Sequence, residues 1–439
     1  MRFQVALAAC LGLAQAAVRV RKTNQGPTGY EVTITYTNTS VNRVLIGALP
    51  HFTDQYRTTV TYAAQFDPHD YKPGDFLSEA AASPRSVYQM TNTGNGCFEF
   101  TTPLPSGTYQ YNFLLDCANA TACTQASGQQ VTDPENPPYE TVKGSQMGSP
   151  FQVPFDARFQ YYPDLNLNFD YTLPISDASK RGALKKDLYP SAGSVLPKPG
   201  IHDFIAYLPA GYSNTSAKPY PILYLSHGGG GAAGDWVNQA YMQNLMDRMI
   251  EDKYLEPTVV IMPSFKGLVN STDNPPAAVV RPLYQQYLFP YVEANYHVSR
   301  SPSRRAFAGL SLGSVLTYEM YINATSYFGY YGMFSGALLP GHQLGDYVNR
   351  NMTAKNPALL DRGITVGYGQ YDIAFDDSKL LQQALDSVGV RNINRFVPWG
   401  FHWWNTWQDC LWTFGRLGLW KGKPYTDLVG HGVAMGLPQ

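Results

Sequence analysis

The sequence RAFAGLSLG at residues 305–313 decides the predicted fold. Its apolar run 306–310 is typical of a buried β-strand, and a helix is predicted to begin near Leu312. Between them lies the pattern Gly-x-Ser-x-Gly, centred on Ser311. A sharp turn at such a pattern lifts the serine hydroxyl clear of the sheet, and the flanking residues are glycine because side chains there would collide with neighbouring backbone. We therefore predict that Ser311 is a nucleophile; since the pattern alone is weak evidence, partner residues must support it.

Apolar strands and helical stretches alternate on both sides of this turn. The predicted strands are residues 204–208, 222–225, 259–262, 306–310 and 364–366. The predicted helices are residues 235–252 and 283–296. Such alternation favours a mostly parallel sheet covered by helices on both faces. Together with the serine turn, it predicts an α/β-hydrolase fold for residues 201–439.

A glycine-rich loop, HGGGG at residues 227–231, follows the predicted strand 222–225. Glycine leaves bare backbone that can approach a reacting carbonyl group closely. We predict an oxyanion hole here, in which the N–H groups of Gly229 and Leu312 hold the developing negative oxygen. A flexible glycine turn without a catalytic role is the alternative.

The general base is sought downstream, because this fold orders its catalytic residues as serine, acid and histidine. His402 and His431 lie far enough along the chain, whereas His342 comes too early. His402 stands in a loop between the apolar run 396–399 and a predicted terminal helix, from which an imidazole can reach back to the serine. We predict His402 as the base; a histidine packed in an aromatic cluster is the alternative.

The acid is predicted just after the strand 364–366. Asp372 closes the sequence GYGQYD that follows this strand, and its carboxylate can accept the histidine Nδ1–H, which fixes the tautomer and stabilises the imidazolium. Asp376 and Asp377 are rivals. They fit better as capping and dipole partners at the start of the next helix.

Tryptophan is concentrated near the end of the sequence, where six of the seven lie between residues 399 and 420. Trp403 and Trp404, with Trp236 just past the glycine loop, are predicted to form walls for a phenolic acyl group or a sugar. Packing in the core is the alternative for at least half of these residues. Two are expected to pack the last helix: Trp412 and Trp420.

The region before the catalytic domain has a different pattern. Apolar and polar residues alternate from about residue 18 to 150, as at Tyr30, Val32, Ile34 and Tyr36, and turn signals separate the runs. This pattern predicts an antiparallel β-sandwich of the immunoglobulin type. Residues 151–200 show no sustained period and are predicted to be a linker. Their basic cluster at 180–186 fits a solvated segment better than a docking patch.

Composition excludes some partners. The chain carries 32 Lys and Arg against 33 Asp and Glu, a formal net charge of −1, so no global field attracts nucleic acid or an anionic membrane. A neutral or sugar-like substrate fits better, and the 14% aromatic content suits stacking on sugars or phenolic rings as well as ordinary sheet packing. The predicted chemistry requires neither a metal nor another cofactor, and the sequence leaves the oligomeric state open.

The first residues are typical of a secreted protein. Residues 1–17 combine a basic start, an apolar run and small residues, the order of a signal peptide, and no later apolar stretch approaches the roughly 20 residues of a membrane helix. In an oxidising compartment Cys117 and Cys123 are the predicted disulfide, with Cys97 and Cys410 unassigned. Six Asn-x-Ser/Thr sites predict glycosylation: Asn38, Asn119, Asn214, Asn270, Asn323 and Asn351.

With these residues in place, the region from about 200 to 425 resembles the esterase family that includes feruloyl esterases, the esterase D group and enterochelin esterases. The resemblance rests on YLPAGY at 207–212, LSHGGGG at 225–231, PYVEANY at 290–296, RAFAGLSLG at 305–313 and GFH at 400–402. Ser314 stands where the family usually has a second glycine. The resemblance implies hydrolysis of carboxylic esters through an acyl-enzyme, with feruloyl or acetyl groups on xylan as the first expected substrates. Siderophore lactones and acyl transfer to an alcohol are the alternatives.

Residues 85–140 resemble the glycogen-binding-type module that is often fused ahead of such esterases, on PSGTYQY at 105–111 and DPENPP at 133–138. Starch-binding members stack sugars on tryptophan, whereas no tryptophan precedes Trp236 in this chain. The module therefore binds carbohydrate or serves as a scaffold at one rim of the active site. A catalytically silent carbohydrate-binding protein is the alternative outside the enzymes.

Overall fold

The chain divides into two compact units in a computed structural model. One comprises Met1–Pro138 with Gln146–Tyr161, and the other Tyr139–Ser145 with Tyr162–Gln439. The structure describes residues 18–47, 51–53, 69, 71–72, 76–78, 88–117, 129–139, 148–156, 158–159, 169–270, 272–339, 341–397 and 400–421. The predicted signal peptide, Cys123 and Asn119 lie outside these residues.

The first unit is built from antiparallel strands. They are β1 Val18–Lys22, β2 Tyr30–Thr37, β3 Val44–Gly47, β4 His51–Thr53, β5 Phe76–Ser78, β6 Tyr88–Gln89, β7 Thr91–Gly94, β8 Cys97–Pro103, β9 Gly107–Leu115, β10 Gln130–Val131 and β11 Ser149–Val153. One sheet has the order β1-β2-β8-β7, another the order β10-β9-β3-β6 with β11 also on β9, and β4 pairs with β5.

Alternation of side chains builds the core of this unit. Val32 and Ile34 of β2 are fully buried, as are Tyr111 and Phe113 of β9, because alternate residues of a strand point to the same face. The ring of Tyr36 lies 4.4 Å from that of Phe113, so the two sheets face each other across this core. The architecture fits the predicted sandwich, and its immunoglobulin type stays a prediction.

The second unit contains an eight-stranded sheet in the order β12-β13-β15-β14-β16-β17-β18-β19. The strands are β12 Ala183–Pro190, β13 Ile201–Leu208, β14 Ile222–Ser226, β15 Val259–Pro263, β16 Arg305–Leu310, β17 Tyr330–Phe334, β18 Gly363–Gly369 and β19 Asn392–Val397. The helices are α1 Asp235–Ala240, α2 Met242–Glu251, α3 Ala277–Leu283, α4 Phe289–Asn295, α5 Leu312–Asn323, α6 Arg350–Lys355, α7 Phe375–Ser387 and α8 Trp404–Thr413. Strands β15, β14 and β16 to β19 are parallel, and β12 and β13 are antiparallel to their neighbours.

Both faces of this sheet are covered by apolar side chains. On β16, Phe307 packs into one core cluster, and Ala306 and Ala308 pack into the other. The mostly parallel sheet and its two covered faces confirm the predicted α/β-hydrolase fold. Among the described residues, no helix is both long and apolar enough to cross a membrane.

The predicted linker 151–200 is wrong over part of its length. Residues 183–190 form strand β12, which pairs with β13 from Ala183 opposite Leu208 to Pro190 opposite Ile201. The amine of Lys185 lies 3.0 Å from Asp187, and that of Lys186 lies 3.1 Å from Asp203. An edge strand is paired on one side only and commonly carries lysine, so its sequence lacks the apolar pattern of the inner strands.

The predicted helix 235–252 is two helices. Tyr241 has a φ of 49° between α1 and α2, which interrupts the helical backbone. The predicted helix 283–296 begins earlier, at Ala277, and passes through a π turn at Tyr284–Leu288 before α4. Strands β17 and β19 were not predicted, because Gly332 interrupts the apolar run of β17 and polar residues dominate β19.

The cysteines and glycosylation sites are placed as follows. Cys97 begins β8 and Cys117 follows β9, and the pairing of Cys117 with Cys123 stays a prediction. Cys410 is a free thiol buried in α8. Asn38 is half-buried, and four further predicted sites are exposed: Asn214, Asn270, Asn323 and Asn351.

Candidate active site

The serine turn has the strained geometry that its sequence predicts. Ser311 follows β16 directly, with φ 51° and ψ −121°, and α5 begins at the next residue. Its backbone N–H donates to Phe334 O at 2.9 Å, which ties the turn to the end of β17. A Cβ on Gly309 would lie 2.5 Å from Gly313 O, and one on Gly313 would lie 2.3 Å from His227 O. Both flanking positions therefore require glycine.

Three predicted residues meet above this turn. The Nε2 atom of His402 lies 2.9 Å from Ser311 Oγ. Its Nδ1 atom lies 2.8 Å from Asp372 Oδ1. The Asp372 side chain is fully buried, and that of His402 is 12% exposed, so the imidazole reaches solvent while the carboxylate does not. The chain thus brings a hydroxyl, an imidazole and a carboxylate into one hydrogen-bonded line.

Two loops hold the acid beside the base. The N–H of Tyr371 donates to Gly400 O at 2.8 Å, and the N–H of Gln370 donates to Val397 O at 3.0 Å. A Cβ on Gly369 would lie 2.3 Å from the carbonyl of Gly400, so these loops touch through bare backbone. Because they follow the neighbouring strands β18 and β19, their close packing fixes where Asp372 and His402 meet.

Several donors surround the carboxylate of Asp372. Ser335 Oγ donates to its Oδ2 atom, and the N–H of Ala374 donates to Oδ1 at 2.9 Å. Burial raises the pKa of Asp372, but the hydrogen bonds from His402 and Ser335 and the attraction to His402 outweigh it, so the pKa is lowered overall. The acid is therefore ionised at neutral pH, as a partner of the imidazole must be.

Ser335 was not predicted from the sequence. It is the first residue after β17, has a φ of 57°, and its N–H donates to Gly367 O at 2.7 Å. Its Oγ also accepts a hydrogen bond from Trp407 Nε1 at 2.8 Å. The signal that could have revealed it is its position at the carboxyl end of a parallel strand, but β17 itself was missed.

Ser314, the departure from the family pattern, changes little in this turn. The helix begins at Leu312 as predicted. The Ser314 side chain is buried, and its hydroxyl donates to Gly336 O. The extra hydroxyl thus joins the serine turn to the loop after β17.

The glycine loop lies against the serine turn. A Cβ on Gly228 would lie 3.2 Å from Ser311 Cβ, and one on Gly229 would lie 3.0 Å from Leu312 Cδ1. Leu312 is the first residue of α5, so its N–H has no partner within the helix. The geometry brings the predicted oxyanion-hole residues together beside the serine.

His227 holds this loop in place from beneath. Its Nε2 atom accepts a hydrogen bond from Phe265 N–H at 3.2 Å, so Nδ1 carries the proton and donates to Gly228 O at 2.7 Å. Complete burial lowers its pKa to about 4, which keeps the ring neutral. On the other side of the loop, Asn274 Oδ1 accepts from Gly230 N–H at 2.8 Å. Asn274 was missed because nothing in its own segment points to a loop so distant in sequence.

The predicted tryptophan walls need correction. Trp236 is fully buried, donates from Nε1 to Ser226 O at 2.9 Å, and stands edge-on to Trp404. Trp404 is only 7% exposed and packs on Trp407 as well. Both belong to the same core cluster, so neither is a wall of the substrate site. Trp403 is half-buried, and its role as a wall of the substrate site stays a prediction.

The other tryptophans, and the residues considered as alternatives to Asp372 and His402, have no contact with Ser311 that the structure describes. Trp412 of α8 stacks on Tyr171, and Trp420, which follows α8, donates from Nε1 to Thr258 Oγ1 at 2.9 Å, so both are packing residues. Asp376 and Asp377 lie in the first turn of α7. His342 is half-buried and hydrogen-bonded to Leu339 O of its own loop. Trp399 and His431 lie outside the described residues.

The fold and this arrangement define the class first: an α/β-hydrolase fold with a serine at its strained turn. Residues 202–413 match the family model described as Putative esterase. Through this region, which is slightly less than half of the chain, the protein is similar to that esterase family.

Named relatives share part of the chain. Endo-1,4-beta-xylanase Y of Acetivibrio thermocellus is 29% identical over 189 residues, which cover 39% of this chain and 17% of that protein. The endo-1,4-beta-xylanase/feruloyl esterase of Xylanibacter ruminicola is 29% identical over 213 residues, 47% of this chain and 27% of that protein. The chain thus spans a small part of the length of these relatives.

A solved structure is similar over most of the chain. The enterobactin esterase FES of Shigella flexneri has a TM-score of 0.51 at 16% identity, and the similarity covers 91% of this chain and 95% of that chain. At this identity, the similarity concerns the fold.

Proposed function

We propose that the protein is a serine carboxylic ester hydrolase that works through Ser311, His402 and Asp372. The observation that carries the proposal is the hydrogen-bonded line of these three residues, with 2.9 Å from the imidazole to the hydroxyl and 2.8 Å from the imidazole to the carboxylate. Asp372 is ionised and can only accept, so Nδ1 of His402 donates to it. The Nε2 atom is then unprotonated and faces the serine hydroxyl as a base.

The reaction follows from this direction of hydrogen bonding. Nε2 of His402 takes the proton of Ser311 as Oγ attacks the ester carbonyl, and the buried carboxylate stabilises the imidazolium that forms. The imidazolium then gives the proton to the leaving alcohol, which leaves an acyl group on Ser311. Water then attacks the acyl carbonyl while His402 takes its proton. The acid is released when the bond to Ser311 Oγ breaks and His402 returns the proton to this oxygen.

The negative oxygen that forms during each attack needs donors, and we assign Gly229 N–H and Leu312 N–H to this role. Support comes from the close approach of the glycine loop to Leu312 and from the position of Leu312 as the first residue of α5, where its N–H has no acceptor within the helix. Removing one such donor costs about 3 kcal/mol of transition-state stabilisation in other serine enzymes. His227 and Asn274 act by holding the loop.

The proposed substrates are plant cell-wall carbohydrate esters, with feruloyl or acetyl groups on xylan. Support comes from the relatives, of which one is named as a xylanase and one as a combined xylanase and feruloyl esterase. Aromatic side chains adjoin the catalytic residues: Tyr371 stacks on Phe401 with ring centres 5.3 Å apart, and Trp403 is half-buried. Such rings suit a phenolic acyl group.

We further propose that the protein is secreted and glycosylated, as its first residues and its sequons predict. The four exposed asparagines among the predicted sites are accessible to a glycan. Treatment of the protein from its native source with an endoglycosidase is expected to lower its apparent mass; an unchanged mass contradicts glycosylation.

The test of the activity is Ser311→Ala, with Ser303→Ala as the matched control because Ser303 is an exposed serine outside the site. We expect Ser311→Ala to lower turnover by about 10⁴-fold or more and to abolish labelling by a fluorophosphonate probe, with an unchanged melting temperature. The control keeps activity and labelling. Near-normal hydrolysis by Ser311→Ala, or absence of labelling in the unmodified protein, contradicts the proposal.

The substrate class is tested separately with methyl ferulate, acetylated xylan, nitrophenyl acetate and a catecholate siderophore. The proposal expects the highest kcat/KM on the ferulate or the acetylated xylan. Highest activity on the siderophore identifies the alternative hydrolase. Addition of acceptor alcohols identifies an acyltransferase if ester products exceed the free acid.

A further inference from the structure

We propose that Ser335 is a positioning residue for Asp372 and that Trp407 sets the direction of the Ser335 hydroxyl. The inference rests on the proposed function, since it concerns how the acid of the same site is held. Neither residue touches the reacting atoms, so both act through Asp372 and His402. Neither residue was assigned a role in the chemistry from the sequence.

The direction of these hydrogen bonds follows from which atoms can only donate and which can only accept. The indole N–H of Trp407 can only donate, so at 2.8 Å it occupies a lone pair of Ser335 Oγ. The hydroxyl has one proton, and its other close partner is the carboxylate Oδ2 of Asp372, which can only accept. The hydroxyl proton is therefore directed at Asp372.

The base is oriented through the same carboxylate. With Oδ2 of Asp372 occupied by Ser335, Oδ1 faces His402 Nδ1 at 2.8 Å and receives its proton. The imidazole then carries its proton on Nδ1 and presents a bare Nε2 to Ser311. A chain of donors that starts at Trp407 thus ends by favouring the tautomer that catalysis needs.

Burial makes this chain hard to replace by water. Ser335 is 1% exposed and Trp407 is 6% exposed, and the Asp372 side chain is fully buried. Loss of the Ser335 hydroxyl leaves a carboxylate oxygen and an indole N–H each short of a partner in a closed space. A surface serine would have no comparable effect, because water would take its place.

Two further features separate positioning from simple packing. Ser335 has a φ of 57°, a strained conformation for serine, although its backbone N–H already has a partner in Gly367 O. The ring of Trp407 also stands edge-on to that of His402 with centres 5.0 Å apart. Replacement by phenylalanine keeps an aromatic ring there but removes the N–H, so packing and donation can be tested apart.

The experiment uses the full chain and four variants: Ser335→Ala, Ser335→Gly, Trp407→Phe and the double variant Ser335→Ala/Trp407→Phe. We expect both Ser335 variants to lower kcat by roughly 10- to 100-fold with little change in KM. The glycine variant accommodates the positive φ without strain, so a shared loss of kcat in both variants identifies the hydroxyl as the cause.

The pH profile is the readout that a structural role would not move. A carboxylate that has lost a donor directs more of its negative charge at the imidazole and so favours protonation of the base, and we expect the acidic limb of kcat/KM to move to higher pH by about half a unit or more in the Ser335 variants. Trp407→Phe should move it in the same direction by less. Ser299→Ala, which removes the hydroxyl of another buried serine, should leave the limb where it is.

The double variant tests the link between the two residues. If Trp407 acts through the Ser335 hydroxyl, Trp407→Phe adds no further loss of kcat to Ser335→Ala, and it raises the melting temperature of that variant by removing the unpaired N–H. An unmoved acidic limb in both Ser335 variants, or additive losses of kcat, overturns the inference. These outcomes leave the proposed function intact, whereas retained activity in Ser311→Ala overturns the proposed function itself.

Discussion

The two units of the chain use polar side chains differently. In the first unit, Asp156 receives hydrogen bonds from Arg158 and an ion pair from Lys22 at 3.0 Å, and both cations reach solvent. The sheets around it are antiparallel, so successive strands end at opposite edges and polar groups are satisfied locally. This contact holds a fold and leads to no further chemistry.

In the second unit, the parallel strands β16, β17, β18 and β19 end at one edge of the sheet. The polar residues that follow them come in the same order: Ser311, Ser335, Asp372 and His402. They satisfy one another in a buried chain rather than in solvent. The comparison teaches that strand direction, rather than the number of polar residues, decides where chemistry can assemble. We therefore expect substitutions in the hydrogen-bonded chain of the second unit to lower activity. Substitutions at Asp156 and its partners in the first unit should lower stability instead.

The largest expected effect is that of Asp372→Asn. An amide at this position can donate to Nδ1 of His402 and so favours the wrong tautomer, and we expect kcat to fall by about 10⁴-fold while the melting temperature changes little. Steady-state kinetics on methyl ferulate and a thermal scan measure both.

The two rival acids supply the matched controls. Asp376→Asn and Asp377→Asn alter the first turn of α7 and should keep kcat within a few-fold. A loss in either variant as large as that of Asp372→Asn would show that the acid is misassigned.

The next effect concerns the serine turn, where stability and activity are joined. A Cβ in Gly313→Ala would lie 2.3 Å from His227 O, and since this contact is with backbone, we expect a loss of roughly 3 kcal/mol or more in the unfolding free energy of the second unit. Gly345→Ala is the control, because a Cβ there meets nothing within 4 Å. Equal stabilities of the two variants in urea would contradict the argument.

The sequence was sufficient for the residues that local geometry or chain order determines. Gly309 is required by its contact with Gly313, so the pattern itself carries that information, whereas Gly313 is required by its contact with His227 O on the loop after β14. The fixed order of the fold then left few candidates for the histidine and the acid. His402 and Asp372 lie where those arguments placed them.

The remainder depended on which strands are neighbours and on which side of the sheet a residue lies. Ser335 was missed because Gly332 interrupts the apolar run of β17, so that this strand was not predicted. Asn274 was missed because it contacts the glycine loop, which is distant in sequence. Trp236 was predicted to be a wall of the substrate site because the sequence does not show whether a tryptophan near the glycine loop is buried or exposed. It is fully buried. Such facts follow from packing rather than from a local pattern.

Trp236 gives a prediction of intermediate size. Since it is fully buried and donates to Ser226 O, Trp236→Phe should lower the unfolding free energy by about 1–2 kcal/mol and leave KM unchanged. Trp403→Phe, at a half-buried position, is the comparison. A raised KM in Trp236→Phe with unchanged stability would restore this residue to the substrate site.

The smallest expected effect lies in the first unit, at Asp156. Hydrogen bonds from Arg158 foremost, and from Lys22, hold the pKa of this carboxyl below its usual 3.8 despite its desolvation. A depressed pKa means that the ionised group stabilises the fold above about pH 4, and that this stabilisation fades as the pH falls below that value. Because both cations are exposed, solvent screens the pairs, and Asp156→Asn should lower the melting temperature by a few degrees or less at neutral pH.

Amide hydrogen exchange in β1 and β2 can measure this effect within the full chain, as the ratio of exchange rates between the variant and the unmodified protein at each pH. The ratio should exceed one at pH 6 and approach one towards pH 3, while esterase activity at pH 7 stays unchanged. A ratio that grows with acid would mean that Asp156 is stabilised in its protonated form, which the two neighbouring cations make unfavourable. A loss of activity in Asp156→Asn would instead show that the first unit contributes to the chemistry, and the separation of roles between the two units would fail.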